Sequence, residues 1–285
     1  MEYANYKDSG CAREESLRRR IRDKTPPELR VTAYERQELG DALCNEGRVH
    51  DAIIHYRKAV EMETDNPGYH TRLGDAYAYS DESSKAVAEY RKAIKISPRR
   101  AEPYYSLAEV YRRHGKWNLA LNAYRKAVQY NAMNPFYRYK LGDALWHVGL
   151  HEDAVLQLEM AVQIAPSDGF YHFCLGDMLH KLGRLGDAII ELQQATIFNS
   201  CDGYYCFRLG LLYMQGGFAE DAVAALKRAV RISPWERTYH AVLAEAYLNC
   251  GNLERAEIHL GYASEMDSFD YANLAVARAA GGNHS

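Results

Sequence analysis

The chain has 285 residues, 26% of them charged, and a formal net charge of −3. That length accommodates one or two domains with a sizeable core, and that charge gives no overall basic field to draw the chain to nucleic acid or anionic lipid. No apolar run reaches the roughly 18–20 residues of a membrane span, and the opening MEYANYKDSGCAREESLRRRIRDK lacks the apolar stretch of a secretory signal, so neither direct membrane insertion nor export is expected. The six cysteines (Cys11, Cys44, Cys174, Cys201, Cys206, Cys250) form no CxxC pair, which suits reduced thiols and predicts a cytoplasmic protein.

In chain order, residues 1–32 read as an N-terminal tail that can carry one short helix over 12–23, with Leu17 and Ile21 one turn apart and Pro26-Pro27 ending it. Residues 33–270 then fall into seven segments of equal length: 33–66, 67–100, 101–134, 135–168, 169–202, 203–236 and 237–270. In that frame position 7 is leucine and position 8 is Gly or Ala in all seven segments. Position 15 is glycine in six (Gly47, Gly115, Gly149, Gly183, Gly217, Gly251), with Asp81 the one departure, and positions 20 and 27 are alanine throughout. A repeat of this size is a supersecondary unit that buries its apolar face only against its neighbours. Apolar or small residues at 4, 7, 8 and 11, and again at 20, 21, 24, 27, 28 and 30, follow a helical period on either side of the position-15 breaker. Acids such as Glu152-Asp153 and Glu220-Asp221 suit the start of the second helix, and Asn66-Pro67 and Asn134-Pro135 pair an N-cap with a proline at the first helical position. The small residues at 8, 20 and 27 let the two helix axes approach closely. Residues 271–280, YANLAVARAA, are expected to form a capping helix, and GGNHS a frayed tail, within a last segment 271–285.

The pattern of Leu-Gly/Ala at 7–8, Tyr/Leu at 11, Gly at 15, Ala at 20, Tyr/Leu at 24, Ala at 27 and Pro98, Pro166 and Pro234 at 32 resembles the tetratricopeptide repeat family over residues 33–270. The resemblance implies an all-α fold, a right-handed α-solenoid of seven tandem helix-turn-helix repeats whose first helices line a concave face. One feature departs from the family: position 4, usually bulky and apolar, is Arg36, His70, Tyr104, Arg138, His172, Cys206 or His240. Tyrosine at position 3 (Tyr69, Tyr137, Tyr171, Tyr205, Tyr239) is expected to supply the missing ring.

At about 100° per residue, positions 2, 5, 9, 12 and 13 share the side of the first helix opposite its core stripe, and the family geometry would put them on the concave surface. Position 9 carries Asp41, Asp75, Glu109, Asp143, Asp177 and Glu245, with Leu211 departing. Helix propensity does not select aspartate there. The acids are therefore expected either to meet a ligand or to pair internally, with Arg113 or Lys181 four residues on, or with Arg72, Lys140 and Arg208 at position 6 of a neighbouring repeat. Tyr105, Phe136, Tyr139, Phe170, Phe173, Tyr204 and Phe207 at positions 2 and 5, joined by Trp146 at position 12, are read as a binding wall, because monomers rarely leave a large apolar patch open. The alternative is ring-on-ring packing between neighbouring first helices. The clamp by which some members of the family hold the C-terminal carboxylate of chaperones, built from Lys, Asn and Arg, is absent here, since position 9 is acidic.

Other chemistry finds little footing. There is no glycine-rich phosphate loop, GxSxG elbow or HExxH helix, so no catalytic residue, metal or cofactor is expected. His147 and His151 are separated by the breaker Gly149, and His172, Cys174, His180, Cys201 and Cys206 lack metal-ligand spacing. The Tyr-Arg-Lys-Ala run at 56–59, 90–93 and 124–127 gives a basic stripe on the second helices that reads as a solvated face. The sequence thus points to a non-catalytic scaffold or adaptor that binds a partner protein, through an extended or helical segment with apolar anchors and some Lys or Arg. The alternatives are a structural subunit that self-associates or enters a larger complex, and a targeting arm of a separate enzyme.

Overall fold

A computed structural model describes residues 31–268; the expected helices at 12–23 and 271–280 lie outside them. Within the described residues the chain is all helix, with no strand. The helices are α1 (Ala33–Asn45), α2 (Val49–Met62), α3 (Pro67–Tyr79), α4 (Ser83–Ile96), α5 (Ala101–Arg113), α6 (Trp117–Tyr130), α7 (Pro135–His147), α8 (His151–Ile164), α9 (Gly169–Lys181), α10 (Leu185–Phe198), α11 (Gly203–Gln215), α12 (Ala219–Ile232), α13 (Arg237–Asn249) and α14 (Leu253–Ser268). Every odd-numbered helix begins at the first residue of a segment in the sequence frame.

The termini follow from local chemistry. Thr32 and Glu35 close a capping box on α1, and the side chains of Asn66, Asn134, Asp168 and Asp202 accept backbone N–H groups at the starts of α3, α7, α9 and α11. Each first helix stops at a left-handed residue. The six position-15 glycines have φ between 66° and 84°, and Asp81 takes the same conformation at φ 63°. The chain thus keeps its turn in the second repeat at the expense of a side chain that this region disfavours.

The small positions set how closely helices approach. The alanines at position 20 are fully buried, and a Cβ added to Gly40 or Gly74 at position 8 would lie 2.6 Å from the ring of Tyr56 or Tyr90. The described chain forms two units, one ending at Leu150 and the other starting at His151. In the first, α1 packs on α2, α3 on α4 and α5 on α6, and each pair packs on the next helix; its core gathers Leu39, Leu43, Tyr56, Leu73, Tyr77, Tyr90, Leu107 and Val110. In the second, α8 to α14 pack in the same serial manner, and a core over α11 to α14 gathers Cys206, Phe207, Leu226, Tyr239, Leu243 and Tyr247. No helix among the described residues is long and apolar enough to cross a membrane.

Candidate functional site

The position-9 acids are held from within the protein. Tyr56 donates its hydroxyl to Asp41 at 2.6 Å, Tyr90 to Asp75 at 2.8 Å, and Tyr124 to Glu109. In each case a ring at position 24 of the second helix reaches back to the acid of the first. A cation at position 6 of the following repeat joins them: Arg72 lies 3.8 Å from Asp41, Lys140 3.5 Å from Glu109, and Arg208 2.6 Å from Asp177. Asp177 also meets Lys181 at 2.7 Å, and Glu109 meets Arg112 at 2.9 Å. Burial opposes ionisation of both acids, yet these cations, with the Tyr124 hydroxyl on Glu109, hold the two carboxyls below their ordinary range. Burial pushes the Asp75 carboxyl up despite the hydroxyls of Tyr90 and Ser106 and the charge of Arg72. Asp143 lies 3.9 Å from His147, and Glu245 is exposed. Of the two roles open to these acids, internal pairing accounts for Asp41, Asp75, Glu109 and Asp177.

The rings form a second internal system. The position-5 ring of one repeat stacks on the position-3 tyrosine of the next: Tyr105 on Tyr137 with centroids 5.2 Å apart, Phe173 on Tyr205 at 4.5 Å, and Phe207 on Tyr239 at 4.6 Å. Tyrosine at position 3 therefore serves the preceding repeat rather than replacing the residue at position 4. Phe207 is only 9% exposed, so it is a packing residue and not part of an open wall. Tyr105, Tyr139, Trp146, Phe170 and Phe173 are half-buried, and burial pushes the Tyr105 hydroxyl up to about 12. The two expected wall residues that stand clear are Phe136, 38% exposed, and Tyr204, 45% exposed, both at position 2.

Each exposed ring has the same surroundings. Lys140 lies over Phe136 at 5.4 Å and over Tyr139 at 5.7 Å, while Tyr105 meets Phe136 edge-on at 5.6 Å. Arg208 lies over Tyr204 and Phe173, each at 6.0 Å, and Phe173 flanks Tyr204 at 5.6 Å. A ring open to solvent, a half-buried ring behind it and a cation already engaged by an acid thus recur in the two units, at Phe136–Lys140–Glu109 and at Tyr204–Arg208–Asp177.

Sequence reasoning missed the role of position 4. Its side chains donate to the carbonyl at position 32 of the preceding repeat: His70 to Thr64 at 3.0 Å, Tyr104 to Pro98 at 3.0 Å, Arg138 to Ala132 at 2.8 Å, His172 to Pro166 at 3.0 Å and His240 to Pro234 at 3.1 Å. Behind them stand Glu89 for His70 and Glu191 for His172, both at 2.7 Å. A polar residue at an apolar position was the signal; its acceptor is a backbone atom and has no letter in the sequence. The grouping of His172, Cys174, His180, Cys201 and Cys206 dissolves in the same way, since His172 is taken by this latch, His180 contacts Gln215 at 2.7 Å, Cys206 is buried and Cys201 exposed. Among the described residues no three His, Cys, Asp or Glu are grouped to hold a metal ion.

Family models match this architecture. The tetratricopeptide repeat model matches residues 105–169 and 207–270, and a second model of the same repeat matches residues 82–115. The chain belongs to the tetratricopeptide repeat family. Among solved structures, this tetratricopeptide repeat protein is similar to PilF of Pseudomonas aeruginosa, at 18% identity over 75% of this chain and 97% of that one, with a TM-score of 0.61. It is similar to YrrB, a tetratricopeptide repeat protein with an unusual peptide-binding site, at 23% identity over 65% and 95% of the two chains and a TM-score of 0.54. MamA of Desulfovibrio magneticus is similar at 22% identity over 59% and 95%, with a TM-score of 0.53. These likenesses concern the fold. No curated protein sequence is significantly similar to the chain.

Proposed function

We propose that this tetratricopeptide repeat protein is a non-catalytic interaction scaffold that takes a segment of a partner protein on the face of its first helices. The observation that carries the reading is a large ring left exposed on a first helix of each unit, Phe136 in the first and Tyr204 in the second, where the neighbouring rings are packed. Aromatic residues with an apolar ring behind them and a cation beside them are favoured anchors for a polypeptide. The peptide-binding site named for YrrB is in accord with this use of the fold. Because Asp41, Glu109 and Asp177 already have cations, the partner segment is assigned chiefly apolar or aromatic anchors, with Glu245 the position-9 acid most open to a Lys or Arg.

The test is affinity capture from the native source with the wild-type chain and with a Phe136→Ser, Tyr204→Ser variant. A protein retained by the first and lost from the second, with the helical circular dichroism unchanged, supports the reading. Equal retention by both chains overturns it.

A further inference from the structure

Four of the second helices, α4, α6, α8 and α10, divide by charge in a way the net charge hides. Helices α4 and α6 carry Lys85, Arg91, Lys92, Lys95, Arg125 and Lys126, all exposed, against the single acid Glu89, which is buried. Helices α8 and α10 carry Glu152, Asp153, Glu159, Asp187 and Glu191 and no Lys or Arg. Six cations against one acid and five acids against no cation are equal and opposite excesses.

Part of this charge is met locally: Lys85 by Glu82, Lys92 by Glu89, Asp187 by Arg184, and Glu191 by His172. Lys95 and Arg125 on one side, and Glu152 and Asp153 on the other, stand exposed. The acidic helices also show large apolar side chains to solvent: Leu156 is 50% exposed, Ile190 55% and Ile197 61%. Exposed apolar side chains on helices that carry charge of one sign suit a docking face, and the complementary sign lies on this same chain. Attraction between such faces acts over about 10 Å at 0.1 M salt and about 3 Å at 1 M.

We propose that two copies of the chain associate through their second helices, the basic face of α4 and α6 in one copy against the acidic, partly apolar face of α8 and α10 in the other. This contact uses a different surface from the Phe136 and Tyr204 face and stands independently of it.

Sedimentation velocity on the full-length chain tests the proposal. The wild type should associate at low salt and dissociate as salt rises to about 1 M. A Lys95→Glu, Arg125→Glu variant and a Leu156→Lys, Ile190→Lys variant should each weaken self-association about tenfold or more. Mixing the two should restore association, because each variant then offers the other a complementary face. A monomer at every concentration and salt overturns the proposal, as does association indifferent to salt and to both variants. It is equally overturned by a chain that stays monomeric while a basic amphipathic peptide binds at α8 and α10. The wild-type salt series decides the matter if either variant fails to fold.

Discussion

The hydroxyl of Tyr90 donates to Asp75 Oδ1 at 2.8 Å, across the helix pair of the second repeat. The same link joins Tyr56 to Asp41 and Tyr124 to Glu109. In the first three repeats it explains the acid at position 9: the small residue at position 8 lets a tyrosine lie flat, and its hydroxyl meets an acceptor one residue on; where position 24 is Leu158 or Leu192 the acid has a cation or His147 instead.

Removing that hydroxyl leaves a mostly buried carboxylate short of a donor. Tyr90→Phe is expected to lower unfolding free energy by about 1–3 kcal/mol. Asp75→Asn keeps the acceptor and deletes the charge. Burial raises the Asp75 carboxyl, so between the ordinary carboxylate value and the raised one the folded state binds more protons than the unfolded state. Its contribution to stability therefore falls as pH rises from the ordinary carboxylate value through the raised one. Asp75→Asn should be neutral or stabilising at pH 7, whereas Asp177→Asn, which removes a carboxyl held low by Lys181 and Arg208, should destabilise. Urea unfolding of the three variants checks the signs.

At Asp81 the left-handed turn is occupied by a residue with a Cβ, at φ 63°. Asp81→Gly should raise stability by roughly 0.5–1 kcal/mol, and Gly115→Asp should lower it by a similar amount. The pair of denaturation midpoints tests this directly.

Two phenylalanines from the expected wall should behave oppositely. Phe207 is buried against Tyr239, and Phe207→Ser should lower stability by about 3–5 kcal/mol, the scale for emptying a buried ring site. Phe136 is exposed, and Phe136→Ser should change stability by about 0.5 kcal/mol or less. Thermal melts of the two variants separate the roles.

The last repeat should be sensitive to acid. His240 Nε2 faces the carbonyl of Pro234 at 3.1 Å, so this nitrogen carries the proton; Nδ1 then accepts from His259 Nδ1 at 3.0 Å. A further proton on His259 enters at Nε2 and leaves a charged, partly buried ring beside His240. Burial, and then the neighbouring His240, lower the His259 imidazole below its ordinary value. The folded state thus binds fewer protons than the unfolded state. This contribution is complete above about pH 6.5 and is lost as pH falls below it. His259→Glu, which copies the His70–Glu89 and His172–Glu191 arrangement, should remove the loss. Hydrogen exchange in α13 at neutral and acid pH measures it.

The period, the turn at position 15 and the buried alanines at 20 and 27 were legible because each is a one-residue requirement repeated without insertion. The wall was only half legible. Helical spacing places Tyr105, Phe173 and Phe207 on one side of their own helices, but their contacts lie with Tyr137, Tyr205 and Tyr239 in the next repeat. A periodicity within one helix carries no information on how far the next helix overlaps it. The acids are likewise half legible: Arg72, Lys140 and Arg208 stand at the charged position 6, while Tyr56, Tyr90 and Tyr124 stand in the core stripe at position 24, where helical spacing carries no sign that a hydroxyl is engaged.

A partner segment is proposed to lie at the exposed position-2 rings, Phe136 and Tyr204. The most direct test is a photo-crosslinking amino acid placed in turn at Phe136, Tyr204 and the exposed Met62 of α2, with irradiation in an extract of the native source. Positions 136 and 204 should give an adduct with the same protein, and position 62 none. Adducts from 62 alone, or none from 136 and 204 under conditions where the wild-type chain retains a partner, would contradict it.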